Sequence, residues 1–197
     1  MTRGEKGTGD MAYKLIVWGT GFVGKMVIRE LAKHPNFELA GVIVSDPAKA
    51  GKDAGEIAGI GPIGVTASTD ADAVLAAGAD AVAYFGPTAE YAAVNIENMS
   101  KAMRAGMDVV STAMTPFVYP KACPPGLVEG LEKVCQETGK SCFTTGVDPG
   151  FANDLFPMTL SSFMSSSGRQ KGLRLSVPKF AVRDERSGFP VMASWLK

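Results

Sequence analysis

Residues 14–33 read KLIVWGTGFVGKMVIRELAK, and the change of character inside this stretch decides the fold. Lys14 to Trp18 is short and mostly apolar and ends on a glycine, which suits a buried strand. From Phe22 to Lys33, Val23, Val27 and Leu31 recur at i, i+4 and i+8 and predict a helix with one apolar face. Pro35 stands just past its end, where a helix cannot continue. Between strand and helix lies Gly19-Thr20-Gly21-Phe22-Val23-Gly24. In such a Gly-x-Gly-x-x-Gly loop the first glycine permits the tight turn, the second lets backbone approach a diphosphate, and the third lets helix pack on strand. The helix start adds unpaired N–H groups and a positive dipole end. These six residues are therefore a candidate dinucleotide-binding loop.

The pattern repeats outward from this unit. Glu38–Val44 is a second strand, rich in β-branched residues. Pro47–Ile63 is Gly-rich and irregular, with room for a short helix, and Asp70–Ala77 is a helix candidate. Ala79–Phe85 reads as a third strand, followed by a helix over Thr88–Ala105 with Ala92, Ile96, Met99 and Met103 along one face. Asp108–Thr112 is the next strand. Leu127, Leu131 and Val134 mark a helix ended by Gly139, and Ser141–Thr145 is one more strand. Strands alternating with helices imply parallel pairing through right-handed crossovers. The expected fold is α/β, a doubly wound and mostly parallel Rossmann sheet over residues 13–157, after a disordered leader at 1–12. Near Pro157 the periodicity stops. Residues 161–168 hold five serines, and 158–197 reads as an incomplete or non-homologous remnant of a second domain, as a shifted frame or truncated gene would leave it.

Composition narrows the partners. Twenty acidic and twenty basic side chains balance, so no field draws in nucleic acid or an anionic membrane surface. No apolar run approaches the roughly 20 residues of a membrane span. Cys123, Cys135 and Cys142 fit no disulfide framework and no paired motif, and read as reduced thiols of a cytoplasmic protein. Neither Cys123, in a loop before Pro124-Pro125, nor Cys142, inside a strand, has the setting of an activated nucleophile. The expected partner is a small molecule.

In an open parallel sheet, ligands sit beyond the carboxyl ends of the strands. That rule selects Asp46 after the second strand, 22 residues beyond Gly24, as an acid for ribose hydroxyls. Asp46-Pro47 equally suits a turn, and Ser45 with Lys49 or Lys52 would instead accommodate a 2′-phosphate. NAD and NADP are both open as the cofactor. The same rule selects Phe85-Gly86-Pro87-Thr88 and Ser111-Thr112-Ala113 as borders of the nicotinamide, with Thr88 also placed to cap the following helix. Asp148 and Glu90 are carboxylates near strand ends. Neither is assigned as a general acid or base, and the catalytic residues stay unknown.

Four segments in order, VWGTGFVGKMV (17–27), YFGPTAEY (84–91), VVSTAMTPFVYP (109–120) and TTGVDPGFANDL (144–155), resemble the dihydrodipicolinate reductase-like family of NAD(P)-binding oxidoreductases. That family includes native amine dehydrogenases and 2,4-diaminopentanoate dehydrogenases. The resemblance spans residues 13–158. It implies a Rossmann domain, a second α/β domain that closes over the substrate and forms a homodimer, and hydride transfer between nicotinamide C4 and a C=N carbon. It further implies that Gly19, Gly21, Gly24, Gly86, Thr88 and Thr112 line the cofactor. Asp148, Pro149, Gly150, Phe151 and Asn153 would form a hinge and the floor near the substrate.

Two departures stand out. The amine-forming branch resembles a pattern with a glutamate soon after the Ser-Thr pair, where this chain has Ala113-Met114-Thr115-Pro116. The His/Lys-rich substrate motif of true dihydrodipicolinate reductases is absent, and the single histidine is His34. A catalytically inactive nucleotide-binding module is the alternative expectation. A fragment with an exposed apolar surface is a third.

Overall fold

The computed structural model describes residues 12–87, 91–123 and 126–161. The leader up to residue 11, Thr88, Glu90 and everything from residue 162 on lie outside the described residues.

Six strands form one sheet in the order β3-β2-β1-β4-β5-β6, with every neighbouring pair parallel. They are β1 (Tyr13–Trp18), β2 (Phe37–Ile43), β3 (Ala67–Ser68), β4 (Ala81–Tyr84), β5 (Asp108–Ser111) and β6 (Cys142–Thr144). Parallel neighbours need crossovers, and helices supply most of them: α1 (Phe22–Leu31), α2 (Ala54–Ala58), α3 (Ala71–Ala76), α4 (Ala92–Arg104) and α5 (Glu129–Thr138). A sixth helix, α6 (Phe156–Ser161), follows the irregular stretch Val147–Leu155. The order is that of a doubly wound Rossmann sheet. Its register is level at the carboxyl edge, where Trp18 pairs with both Ile43 and Tyr84, Tyr84 with Ser111, and Ser111 with Thr144. Every loop that the strand-end rule selects therefore leaves from one line.

Alternation along β1 sends Ile16 and Trp18 to one face and Val17 to the other. Val17 packs with Ile28 and Leu31 of α1, Val42 and Val44, and Ala54 and Ala58 of α2. Ile16 and Trp18 pack with Leu75 of α3, Met99 and Met103 of α4, and Leu131 and Val134 of α5. Met99 and Met103 are wholly buried, so truncating either to alanine should cost about 2–5 kcal/mol. Cover on both faces is what a parallel sheet requires. At the far edge this cover stops on one side: Val110 and its partner Phe143 are 45% and 60% exposed.

Asp53 caps α2 by accepting from Gly55 N–H, and Asp70 caps α3 by accepting from Ala73 N–H. Glycines in the left-handed region close α2 at Gly59 and α5 at Gly139.

Several expectations are corrected. The buried face of α1 runs through Gly24, Ile28 and Leu31, with Val23 exposed. Gly24 carries no side chain, so an apolar count misses the row it occupies. The two-residue strand β3 lies between the irregular region 47–63 and the helix candidate at Asp70, in a stretch to which the sequence assigned no element. Helix α4 is described from Ala92, with Tyr91 at its N-cap position, and the expected start at Thr88 lies outside the described residues.

Candidate functional site

The connection from β1 to α1 is only Gly19-Thr20-Gly21, and its glycines do different work. Gly19 has φ of +104°, a conformation L side chains rarely adopt. A Cβ there would run into the Phe85 carbonyl. Gly19 N–H donates to Ile43 O at 2.9 Å, and Phe85 N–H donates to Trp18 O at 2.7 Å. A Cβ on Gly24 would run into the Gly19 carbonyl and touch the Phe85 ring at 3.6 Å. These two glycines thus fasten β1, α1 and the end of β4 together. Gly21 differs. It is exposed, and a Cβ on it would meet nothing within 4 Å. Thr20 beside it is buried, Val23 is exposed and Phe22 is 82% exposed.

Helix α1 starts at this open position without a side-chain cap and without an acid in its first turn. Its first backbone bond runs from Lys25 N–H to Gly21 O at 3.1 Å. The donor end and positive dipole of a ten-residue helix therefore face outward over Gly21.

The end of β2 brings an acid and a base beside this loop. Asp46 Oδ1 accepts from Ala48 N–H at 2.9 Å and so caps the short turn Pro47–Lys49. Lys49 reaches back the other way, and its Nζ donates to the Thr20 carbonyl at 3.5 Å. Ser45 and Lys52 are exposed.

The loops after β4 and β5 are joined through buried polar groups. Gly86 lies on the Tyr84 ring, and a Cβ there would collide with the phenol. The Tyr84 hydroxyl donates to Asn95 Oδ1 at 2.8 Å and accepts from Asn98 Nδ2 at 3.1 Å. Burial pushes this hydroxyl's pKa up, against the smaller opposing effect of Asn98. Asn95 Nδ2 donates to the Pro87 carbonyl at 2.9 Å and lies 3.5 Å from Met114 Sδ. Ser111 is wholly buried, and its Oγ accepts from Ala113 N–H at 3.0 Å. Thr112 N–H donates to the Tyr84 carbonyl at 3.4 Å, and the Thr112 side chain is exposed.

The remaining candidates divide clearly. Asp148 follows β6 in a segment where Asp148, Pro149 and Gly150 leave helical geometry. Ala113 and Met114 are buried, and no acid stands between them and Pro116. His34 lies at the opposite edge of the sheet, past α1, with its ring tilted 51° against that of Phe37 and the centroids 4.8 Å apart. Burial raises the pKa of all three thiols, that of Cys142 to about 12, so none is a thiolate near neutrality. Among the described residues, no group of three His, Cys, Asp or Glu side chains is placed to hold a metal, and no helix is long and apolar enough to cross a membrane. Sequence reading passed over Tyr84, Asn95 and Asn98. Their only signal was an asparagine on the apolar row of α4.

The sequence model described as "Dihydrodipicolinate reductase, N-terminus" matches residues 13–116. An amine dehydrogenase of Streptomyces virginiae is 40% identical over 147 residues, covering 74% of this chain and 41% of that protein. A 4-hydroxy-tetrahydrodipicolinate reductase of Agrobacterium fabrum is 42% identical over 64 residues, covering 32% of this chain and 23% of that one. Among solved structures, an amine dehydrogenase from Mycobacterium smegmatis superposes with a TM-score of 0.66 at 24% identity, over 76% of this chain and 44% of its own. The chain thus spans about two fifths of the Streptomyces relative's length, and the Mycobacterium structure speaks for the fold. With more than half of its residues matched by the family's sequence model, the chain belongs to the dihydrodipicolinate reductase N-terminal family.

Proposed function

We propose that residues 13–157 bind a nicotinamide dinucleotide along the carboxyl edge of the sheet, as the cofactor-holding part of an oxidoreductase acting at a C=N centre of a small molecule. The observation that carries this reading is the asymmetry of the loop: Gly19 and Gly24 have no room for a side chain, whereas Gly21 has open space over an uncapped helix start. That opening fits a diphosphate, which takes hydrogen bonds from helix N-terminal amides. Gly19, Thr20, Gly21, Phe22, Val23 and Gly24 would hold it. Phe85, Gly86, Pro87 and Thr88, with Ser111, Thr112 and Ala113, would flank the nicotinamide end.

When bound, the nicotinamide supplies or accepts the hydride. The residues described here bind, orient and shield it. The C=N assignment draws on the amine dehydrogenase relative. For the adenosine end, NADP is the better fit. Asp46 spends one carboxylate oxygen on its own turn, while the Lys49 ammonium reaches the glycine loop, where it can take a 2′-phosphate by a charge-assisted bond. One observation favours the alternative of a binding module without turnover: the segment after β5 carries no acid from Ala113 to Pro116.

Titrating the 197-residue chain with NADPH and NADH, followed by fluorescence of the reduced nicotinamide, tests the reading. Saturable enhancement with NADPH the tighter ligand is expected. No enhancement with either sinks it. Binding without turnover on imines, amines or carbonyl compounds favours the inactive module.

A further inference from the structure

We infer that Tyr84 and Asn95 are positioning residues that hold the two nicotinamide-side loops in one arrangement, an inference that rests on the dinucleotide reading above. The carboxamide of Asn95 is wholly buried on α4. Its oxygen accepts from the Tyr84 hydroxyl at 2.8 Å, and its nitrogen donates to the Pro87 carbonyl at 2.9 Å and lies 3.5 Å from Met114 Sδ. Pro87 belongs to the loop after β4 and Met114 to the segment after β5, so one side chain ties both strand-end loops to one helix.

Tyr84 completes the arrangement from the sheet. Its ring is the floor on which Gly86 lies, and it meets Trp18 edge to face at 5.5 Å, directly before the glycine loop. Its carbonyl accepts from Thr112 N–H. Packing alone does not call for these groups, since an apolar pair would fill the same space without the desolvation of a phenol and an amide. Directional bonds fix geometry as well as energy, and here they fix backbone at Pro87. The adenosine end lies beyond their reach, at the end of β2 and the start of α1.

The consequence is an asymmetric loss of binding. Tyr84→Phe removes one hydroxyl and keeps the ring under Gly86. In the full 197-residue chain, we expect it to weaken NADPH by about three- to tenfold, the scale of one buried hydrogen bond. Affinity for adenosine 2′,5′-bisphosphate, the adenosine half alone, should stay within about twofold of wild type. Both affinities are read by calorimetry, alongside the melting temperature. Asn98→Ala, which removes a donor to the same phenol from a half-buried position, should shift NADPH in the same direction with less risk to folding. Unchanged NADPH affinity in both folded variants overturns the inference, and so does an equal loss for the two ligands. If the wild-type chain binds neither ligand, the dinucleotide reading itself is wrong and takes this inference with it.

Discussion

The carbonyl oxygen of Gly19 occupies the space that a side chain on Gly24 would need. Strand and helix meet there backbone to backbone, and no rotamer change can relieve a clash. Gly24→Ala should therefore destabilise the fold by about 1–3 kcal/mol, as overpacked sites do. Urea denaturation should show a lower midpoint with an unchanged slope.

Lys49 and Thr20 meet across the mouth of the loop, with Nζ 3.5 Å from the carbonyl. Lys49→Ala should lower affinity for NADPH by about tenfold or more, the scale of a charge-assisted bond, and leave NADH nearly unaffected. A variant that weakens both cofactors equally would place the lysine at the diphosphate instead. The comparison is one pair of fluorescence titrations per variant.

Asp53 gathers the segment between β2 and β3. Its carboxylate accepts from Ile63, Gly55 and Gly64 N–H at 3.0, 2.7 and 2.8 Å. The bond from Ile63 is the largest influence holding its pKa below the ordinary carboxylate value, with those from Gly55 and Gly64 adding to it against some desolvation. A depressed folded value means the stabilisation is fully present above the unfolded carboxylate range and is lost as pH falls through the folded value. Amide exchange at Ile63 and Gly64 should thus stay protected down through the usual carboxylate range and rise below it. Asp53→Asn puts an NH2 group where Oδ2 accepts from Gly64, and should expose that amide near neutrality while Oδ1 still accepts from Ile63.

The half-buried thiols give a negative prediction. With Cys142 pushed up to about 12 and Cys123 and Cys135 also raised by burial, iodoacetamide at neutral pH should modify the native chain slowly and the denatured chain fast. Rapid native labelling at one cysteine would reopen the thiol-nucleophile reading.

Much of this architecture was legible because its signals are local. The glycine loop, the apolar runs and the helix stop at Gly139 each sit within a few residues of the feature they announce. What escaped depends on contacts distant in sequence. The strand β3 has two residues, too few for alternation to register, and exists by pairing with Val42 and Ile43. The buried row of α1 was misplaced by one position because Gly24 contributes space rather than hydrophobicity. Tyr84 and Asn95 escaped for a related reason: pattern reading sends polar side chains to the surface, and only the crossing of β4 by α4 turns them into each other's partners. The family resemblance, carried by four ordered segments, agrees with the match over residues 13–116.

The most direct measurement is NADPH binding by the Gly21→Asp variant. Gly21 holds the N-cap position of α1 in extended geometry, with φ of −71° and open space for a side chain. Aspartate is a favoured cap, and its charge suits the helix dipole, so the variant should melt at or above the wild-type temperature. The same carboxylate would stand where the diphosphate is proposed to lie. The account predicts a fully folded chain whose NADPH affinity falls about a hundredfold or more. A folded variant that binds NADPH as tightly as wild type would contradict it.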